Sequence, residues 1–135
     1  MTTVFLGESK MILEKLKNEI NTLIITKSLI PKPKTDNEFK ILRLGKRRGE
    51  SAVIYSIPNH KETSFHYEKG ITYSEFLQVL KELSETGYVT RSWFNKNLLE
   101  CAKEGSCNFT SLCGILELLG YCKYSEKGKY VSLKK

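Results

Sequence analysis

Three adjacent cations, Lys46, Arg47 and Arg48, stand between two glycines in the segment Gly45-Lys46-Arg47-Arg48-Gly49-Glu50. Cations neutralise phosphates, and phosphate contacts position a nucleic acid without reading its sequence. The whole chain carries 22 Lys and Arg against 15 acids, a net charge of +7, which favours anionic partners. We therefore predict phosphate contact at this segment. The alternative is a solvated turn whose charges only keep the protein soluble.

A fragment of a metal-dependent nuclease pattern precedes this segment. Asp36 is followed by Glu38-Phe39-Lys40, and two carboxylates with a nearby lysine can hold an ion and steady an attacking water. Acid-x-Lys triplets also arise by chance in a Lys-rich chain. The sequence contains no G-x-x-x-x-G-K and no H-E-x-x-H motif. We predict no catalytic residues, no metal site and no cofactor, with a nuclease kept as an alternative.

Four cysteines follow the pattern C-x5-C-x5-C-x8-C, from Cys101 through Cys107 and Cys113 to Cys122. Structural zinc sites bring their ligands together through shorter C-x2–4-C spacings. Cys101 and Cys113 also fall on apolar faces of predicted helices. We predict buried, reduced thiols, with a structural zinc as the alternative.

The C-terminal half contains three helix patterns. Apolar residues recur at 73, 76, 77, 80 and 83, with Thr72 and Glu75 as a capping box and Gly87 as the stop. Thr90 then caps a second helix over 91–101. A third helix over 109–119, capped by Asn108 or Thr110, ends at Gly120. From 121 to 133 the period drops to two, which predicts a hairpin that turns at 126–129.

This order of elements resembles the winged helix-turn-helix family over roughly the last 65 residues. The resemblance implies that the third helix is a recognition helix and that Lys127-Gly128-Lys129 is the wing tip. Residues 109–119 contain no Lys or Arg. They include one acid, Glu117. Their polar face, Thr110, Ser111 and Gly114, suits a phosphate or a thymine methyl and cannot make a bidentate contact to guanine.

The N-terminal part is predicted to consist of a helix, a linker and a hairpin. Residues 9–28 form an amphipathic pattern with Met11, Ile12, Leu16, Ile20, Leu23 and Ile24 on one side, although 23–26 also suits a strand. This helix either packs on the domain or pairs with a second copy through residues 9–30. Two prolines interrupt residues 31–37. Strands over 38–44 and 51–57 then form a hairpin around the basic tip.

These patterns predict an α+β fold: a winged-helix-like three-helix core with a C-terminal β-hairpin wing, preceded by a β-hairpin and an N-terminal amphipathic helix. The predicted division is a helical arm over 1–30, a linker over 31–37 and a single winged-helix-like domain over 38–135. We expect the two hairpins to share one sheet, and residues 59–70, which include His60 and His66, to form a loop. No stretch approaches the roughly eighteen apolar residues of a membrane span, and no signal peptide is recognisable. We therefore predict a cytoplasmic protein with no membrane partner.

The function predicted from the sequence is nucleic-acid binding, with duplex DNA as the expected partner, by a transcription regulator or an accessory factor. The predicted contact residues are Lys46, Arg47, Arg48, Arg91, Thr110, Ser111, Lys127 and Lys129. The alternative is a protein–protein interaction module built on the same scaffold. The third helix motivates it, because a helix without cations is more typical of a buried element than of a groove reader.

Overall fold

A computed structural model describes residues 2–33, 35, 38–58 and 66–133 of the chain. Within these residues, five helices and seven strands form a mixed α+β fold, which confirms the predicted class. The elements are α1 (Thr2–Ile25), β1 (Leu29–Ile30), β2 (Phe39–Arg47), β3 (Glu50–Pro58), β4 (His66–Thr72), α2 (Tyr73–Thr86), β5 (Tyr88–Thr90), α3 (Arg91–Asn97), α4 (Leu99–Glu104), α5 (Asn108–Leu118), β6 (Cys122–Glu126) and β7 (Lys129–Ser132).

The described strands form two antiparallel sheets, one in the order β1-β2-β3-β4 and one in the order β5-β7-β6. The prediction that the two hairpins share one sheet is therefore wrong. β1 and β4, which precede and follow the β2–β3 hairpin in sequence, extend it on both sides. β5 extends the β6–β7 hairpin by pairing with β7, although three helices lie between β5 and that hairpin in the chain. Each hairpin therefore belongs to a sheet of its own.

The predicted β2–β3 hairpin is present, with Arg47 paired to Glu50 across the turn. Arg48 and Gly49 occupy the turn with φ angles of 51° and 77°, which is typical of a two-residue type I′ connection. The prediction that residues 59–70 form a loop is wrong for residues 66–70. These residues belong to β4, which pairs with β3 from Pro58↔His66 onward. The remaining residues of that loop, including His60, lie outside the described residues.

Helix α1 ends earlier than predicted, and residues 23–25 are helical, not extended. The N–H of Ser28 donates to the carbonyl of Leu23 at 3.0 Å, and Lys27 adopts a φ of 52°. This is a Schellman-type stop that turns the chain into β1. Leu16 and Ile20 are 0% exposed in the hydrophobic core. Met11 is 73% exposed, so the prediction that it belongs to the buried face of α1 is wrong.

The capping box of α2 is confirmed, because Thr72 Oγ1 accepts from the Glu75 N–H while the Glu75 carboxylate accepts from the Thr72 N–H. Gly87 ends this helix in the left-handed conformation. The second predicted helix is broken at Leu98, whose φ of −121° and ψ of 53° are not helical. This break separates α3 from α4. The break turns the chain so that both Leu98 and Cys101 are buried.

Helix α5 is buried on nearly all sides. Its predicted caps are wrong, because Cys107 occupies the N-cap position and makes no side-chain cap. Asn108 instead donates from Nδ2 to the Cys101 carbonyl and accepts at Oδ1 from the Tyr55 hydroxyl. A Cβ at Gly114 would lie 2.6 Å from the Pro31 carbonyl oxygen. The chain segment that follows β1 therefore runs directly over α5.

Candidate functional site

Cations from three distant parts of the chain meet in one cleft of about 320 Å³. Lys32 comes from the segment after β1, Arg91 from the first turn of α3, and Lys127 from the turn between β6 and β7. The other walls include Phe39, Thr110 and Tyr124. We call this surface, defined by Lys32, Phe39, Arg91, Thr110, Tyr124 and Lys127, the basic cleft. The described residues that line it include no carboxylate.

Lys32 lies at the floor of the basic cleft, where it is largely withdrawn from solvent. Its Nζ donates to Thr110 Oγ1 at 2.7 Å, to Ser111 Oγ at 2.8 Å and to the Cys107 carbonyl at 3.3 Å. The same Nζ lies 4.2 Å from the centroid of the Phe39 ring. These hydrogen bonds solvate the ammonium group without neutralising its charge.

The pKa of Lys32 is lowered to about 8, chiefly by burial. The coulombic effect of Cys107 opposes the lowering, and that of Arg91 adds to it. Burial penalises the charged form because the protein interior solvates an ion less well than water. A buried cation next to a second cation is a feature typical of anion-binding and catalytic sites.

Arg91 is held in place on the wall of the basic cleft. Its backbone N–H donates to the Gly128 carbonyl at 2.9 Å, which joins the start of α3 to the β6–β7 turn. Its Nη1 donates to the Ser106 carbonyl at 2.9 Å, and its guanidinium carbon lies 5.0 Å from the Phe109 ring centroid. These contacts fix the guanidinium group before any ligand arrives.

Lys127 and Lys129, at the β6–β7 turn, have different surroundings. Lys127 is exposed at the rim of the basic cleft, beside Gly128, which adopts a φ of 77° in that turn. Lys129 is half-buried, and its Nζ lies 4.8 Å from the Tyr88 ring centroid. Lys127 therefore presents its charge to the cleft, whereas Lys129 lies along the face of an aromatic ring.

The hairpin tip does not present three free cations. Arg48 forms a two-point contact with Glu75, with Nε to Oε2 at 2.7 Å and Nη2 to Oε1 at 2.9 Å. Arg48 Nη1 and Arg47 Nε both donate to the Glu104 carboxylate. Lys46, in contrast, is exposed. Two of the three predicted phosphate contacts at the tip are thus paired with acids inside the protein.

The polar residues predicted for α5 lie beneath the segment that follows β1. Ser111 is 0% exposed, and Thr110 is half-buried. Both hydroxyl groups accept a hydrogen bond from Lys32. A nucleic acid therefore does not reach Ser111 while this segment stays in place.

Of the eight predicted contact residues, the structure brings Arg91, Thr110 and Lys127 together in the basic cleft and places the other five elsewhere. Sequence reasoning missed Lys32, because a lysine between two prolines predicts an exposed linker. One signal did point to a covered surface at this place. The third helix pattern has almost no polar face, and such a helix needs covering on more than one side.

The predicted state of the cysteines agrees with the structure for three of the four thiols. Cys101, Cys113 and Cys122 are buried and unpaired, while Cys107 is half-buried and lines the basic cleft. Burial raises the pKa of Cys122 to about 12 and also raises the pKa values of Cys101 and Cys113. In the described part of the chain, no group of three or more His, Cys, Asp and Glu is placed to hold a metal ion.

Cys107 is expected to be the one thiol that iodoacetamide modifies readily in the folded, reduced protein. The thiolate is the nucleophile, and the other three thiols are both inaccessible and held protonated. Peptide mapping by mass spectrometry at successive times, with denatured protein as the reference, checks this. Modification of Cys113 as fast as Cys107 would contradict the burial described above.

No described helix is long and apolar enough to cross a membrane. Comparison of the chain with protein-family models, with curated proteins and with solved structures returns no match. Its function is therefore inferred from the geometry of its own residues.

Proposed function

We propose that this chain binds nucleic acid, duplex DNA in the first place, through phosphate contacts made by the basic cleft and the wing turn. The observation that carries the proposal is the convergence of Lys32, Arg91 and Lys127 on one concave surface whose described lining includes no acid. Clustered cations raise the local concentration of anionic ligands and contact phosphates regardless of base sequence.

A winged-helix-like arrangement of residues 73–132 is part of this proposal. Its support is the order α2-β5-α3-α4-α5-β6-β7 together with the strand order β5-β7-β6. In such an arrangement α5 would be the groove-reading helix. Because the segment around Pro31 and Lys32 covers α5, docking by phosphate contact with weak sequence preference is favoured over base reading. That behaviour suits an accessory factor better than a sequence-specific regulator.

Titration of a labelled random-sequence duplex, followed by fluorescence anisotropy at two salt concentrations, tests the proposal. Wild-type affinity should fall steeply with salt, with a slope of log K against log salt of about −0.9 per phosphate contacted. The Arg91→Gln/Lys127→Ala double variant should bind more weakly and with a shallower slope. The matched control Lys10→Ala/Lys81→Ala removes two exposed charges that do not line the cleft and should bind like the wild type. Affinity unaffected by salt would exclude the mechanism.

A second function, a protein-interaction module, is favoured by the exposed apolar residues of α1. Met11 and Ile12 are 73% and 46% exposed, and large apolar side chains exposed on a helix are available for contact with a second surface. Pairing of two copies through residues 9–30 would cover them. Sedimentation of the wild type and of a Met11→Ser/Ile12→Ser variant tests this: a dimer that the variant abolishes supports it, and a monomeric wild type excludes it.

A further inference from the structure

We propose that the basic cleft receives a single nucleotide unit that ends in a phosphate monoester, either the phosphorylated end of a nucleic-acid strand or a free nucleoside monophosphate. The inference deepens the proposed function at the same site, and it rests on that function only for its nucleic-acid arm. It concerns what enters the cleft, whereas the proposed function concerns what lies across its rim.

The charges of the cleft match a phosphate monoester better than a diester. A monoester carries between one and two negative charges at neutral pH, whereas each phosphate within a strand carries one. Lys32, Arg91 and Lys127 supply three positive charges, and the lining described by the structure contains no acid to offset them. Arg91 and Lys32 also repel each other. An anion placed between these two cations would relieve that repulsion.

The shape of the cleft favours a strand end over an uninterrupted duplex backbone. Lys127 is exposed at the rim, whereas Lys32 lies deeper and is half-buried. The backbone of a duplex is a convex surface that approaches Lys127 at the rim more closely than the recessed amine of Lys32. A terminal nucleotide has no continuing chain on one side and can enter. The volume of about 320 Å³ is within the range of small-ligand pockets, about 300–1,000 Å³.

The walls of the cleft supply partners for the other parts of a nucleotide. Tyr124 lines it with aromatic surface, on which bases and sugars pack with little sequence preference, whereas the Phe39 ring is 9% exposed and already lies 4.2 Å from Lys32 Nζ. The Thr110 hydroxyl accepts from Lys32 Nζ at 2.7 Å and donates to the Cys107 carbonyl at 3.2 Å, so it holds the Lys32 ammonium group in position at the cleft. Cationic, hydroxyl and aromatic groups therefore meet within one small volume.

Binding of one short single-stranded sequence in several end forms tests this inference. The strand carries a 5′-phosphate, a 3′-phosphate or hydroxyl groups at both ends, and deoxyadenosine monophosphate is added as a competitor. We expect a phosphorylated end to bind about tenfold more tightly than the hydroxyl form, and deoxyadenosine monophosphate to compete. The preference should disappear in Lys32→Met, checked for folding by circular dichroism. It should persist in Lys46→Ala, because that lysine lies at the hairpin tip.

The outcomes separate this inference from the proposed function. Equal affinity of the wild type for phosphorylated and hydroxyl ends overturns the inference, even if salt-sensitive duplex binding stands. Binding of deoxyadenosine monophosphate without binding of any strand upholds the nucleotide site and overturns nucleic acid as the partner. Persistence of the end preference in both Lys32→Met and Arg91→Gln would place the recognised phosphate outside the basic cleft and overturn the inference.

Discussion

Replacement of Arg48 by alanine is expected to lower the free energy of unfolding by about 3 kcal/mol. Arg48 joins the hairpin tip to three other elements through Glu75 of α2, Glu104 of α4 and the carbonyl of Gly70 in β4. Its side chain is 20% exposed and that of Glu75 is 9% exposed. Removal of the cation would leave the buried Glu75 carboxylate without a cation, while Glu104 would keep Arg47. Breaking a buried ion pair by removing one partner is costly because the other charge stays poorly solvated.

The loss should be visible as a lower urea midpoint, followed by the fluorescence of Trp93, the only tryptophan of the chain. Lys46→Ala provides the matched control, because it removes a neighbouring exposed cation and should change stability by no more than about 0.5 kcal/mol. An Arg48→Ala variant as stable as the wild type would show that the network contributes nothing. The result also bears on binding assays, since weaker DNA binding by that variant would follow from partial unfolding.

Acid should weaken the same network. Burial would raise the pKa of Glu104, but hydrogen bonds from Arg48 and Arg47 outweigh it and lower the pKa below 4.5. A carboxyl group whose pKa is lowered in the folded state stabilises the fold when the pH is above the ordinary carboxyl pKa. This stabilisation disappears as the pH falls through the lowered pKa of the folded state. The stability difference between the wild type and Arg48→Ala should therefore shrink as the pH falls below the ordinary value of 4.5.

The second large effect is expected from Lys32→Met, and the size of its effect on stability depends on pH. The pKa of Lys32 is about 8 in the folded protein against 10.5 for an ordinary lysine. Below pH 8, Lys32 is protonated in both the folded and the unfolded state, and the wild type carries the full cost of the buried charge. Between pH 8 and pH 10.5, Lys32 loses its proton in the folded state but keeps it in the unfolded state. Wild-type stability should then rise relative to Lys32→Met by about 1.4 kcal/mol per pH unit.

Urea denaturation of both proteins at about pH 7 and about pH 10, with thiols kept reduced, measures this difference. The difference between the proteins cancels most contributions of groups that they share. The groups that face Lys32, namely Arg91, Lys127, Cys107 and Cys113, are the same in both. A pH-independent difference would show that Lys32 is not a buried cation. A stable Lys32→Met variant that binds nucleic acid poorly would indicate a residue retained for binding at a cost in stability.

Local chemistry allowed much of the fold to be predicted. The Thr72–Glu75 capping box, the left-handed glycine at 87 and the glycine-framed hairpin tip each depend on residues close in sequence. Such signals can be recognised without knowing the tertiary structure. The split at Leu98 could not be recognised, because the periodic pattern of 91–101 runs through it and only packing decides on which side Cys101 lies.

The site was only partly predictable, because its contacts join residues far apart in sequence. Lys32 meets Ser111 across 79 positions, and Arg48 meets Glu104 across 56. A composition-based argument treats every cation as equally available. The structure separates Arg47 and Arg48, which are paired with acids, from Arg91 and Lys127, which line a cleft whose described walls contain no acid. That separation requires the tertiary structure.

The alkylation rate of Cys107 in the presence of DNA tests most directly whether nucleic acid occupies the basic cleft, because this thiol lines it. Iodoacetamide modification is followed while random-sequence duplex saturates the protein at low salt. The rate should fall as DNA binds and return to that of the free protein when added salt releases the duplex. An unchanged rate at saturation would contradict the proposed site, because the DNA would then be bound elsewhere.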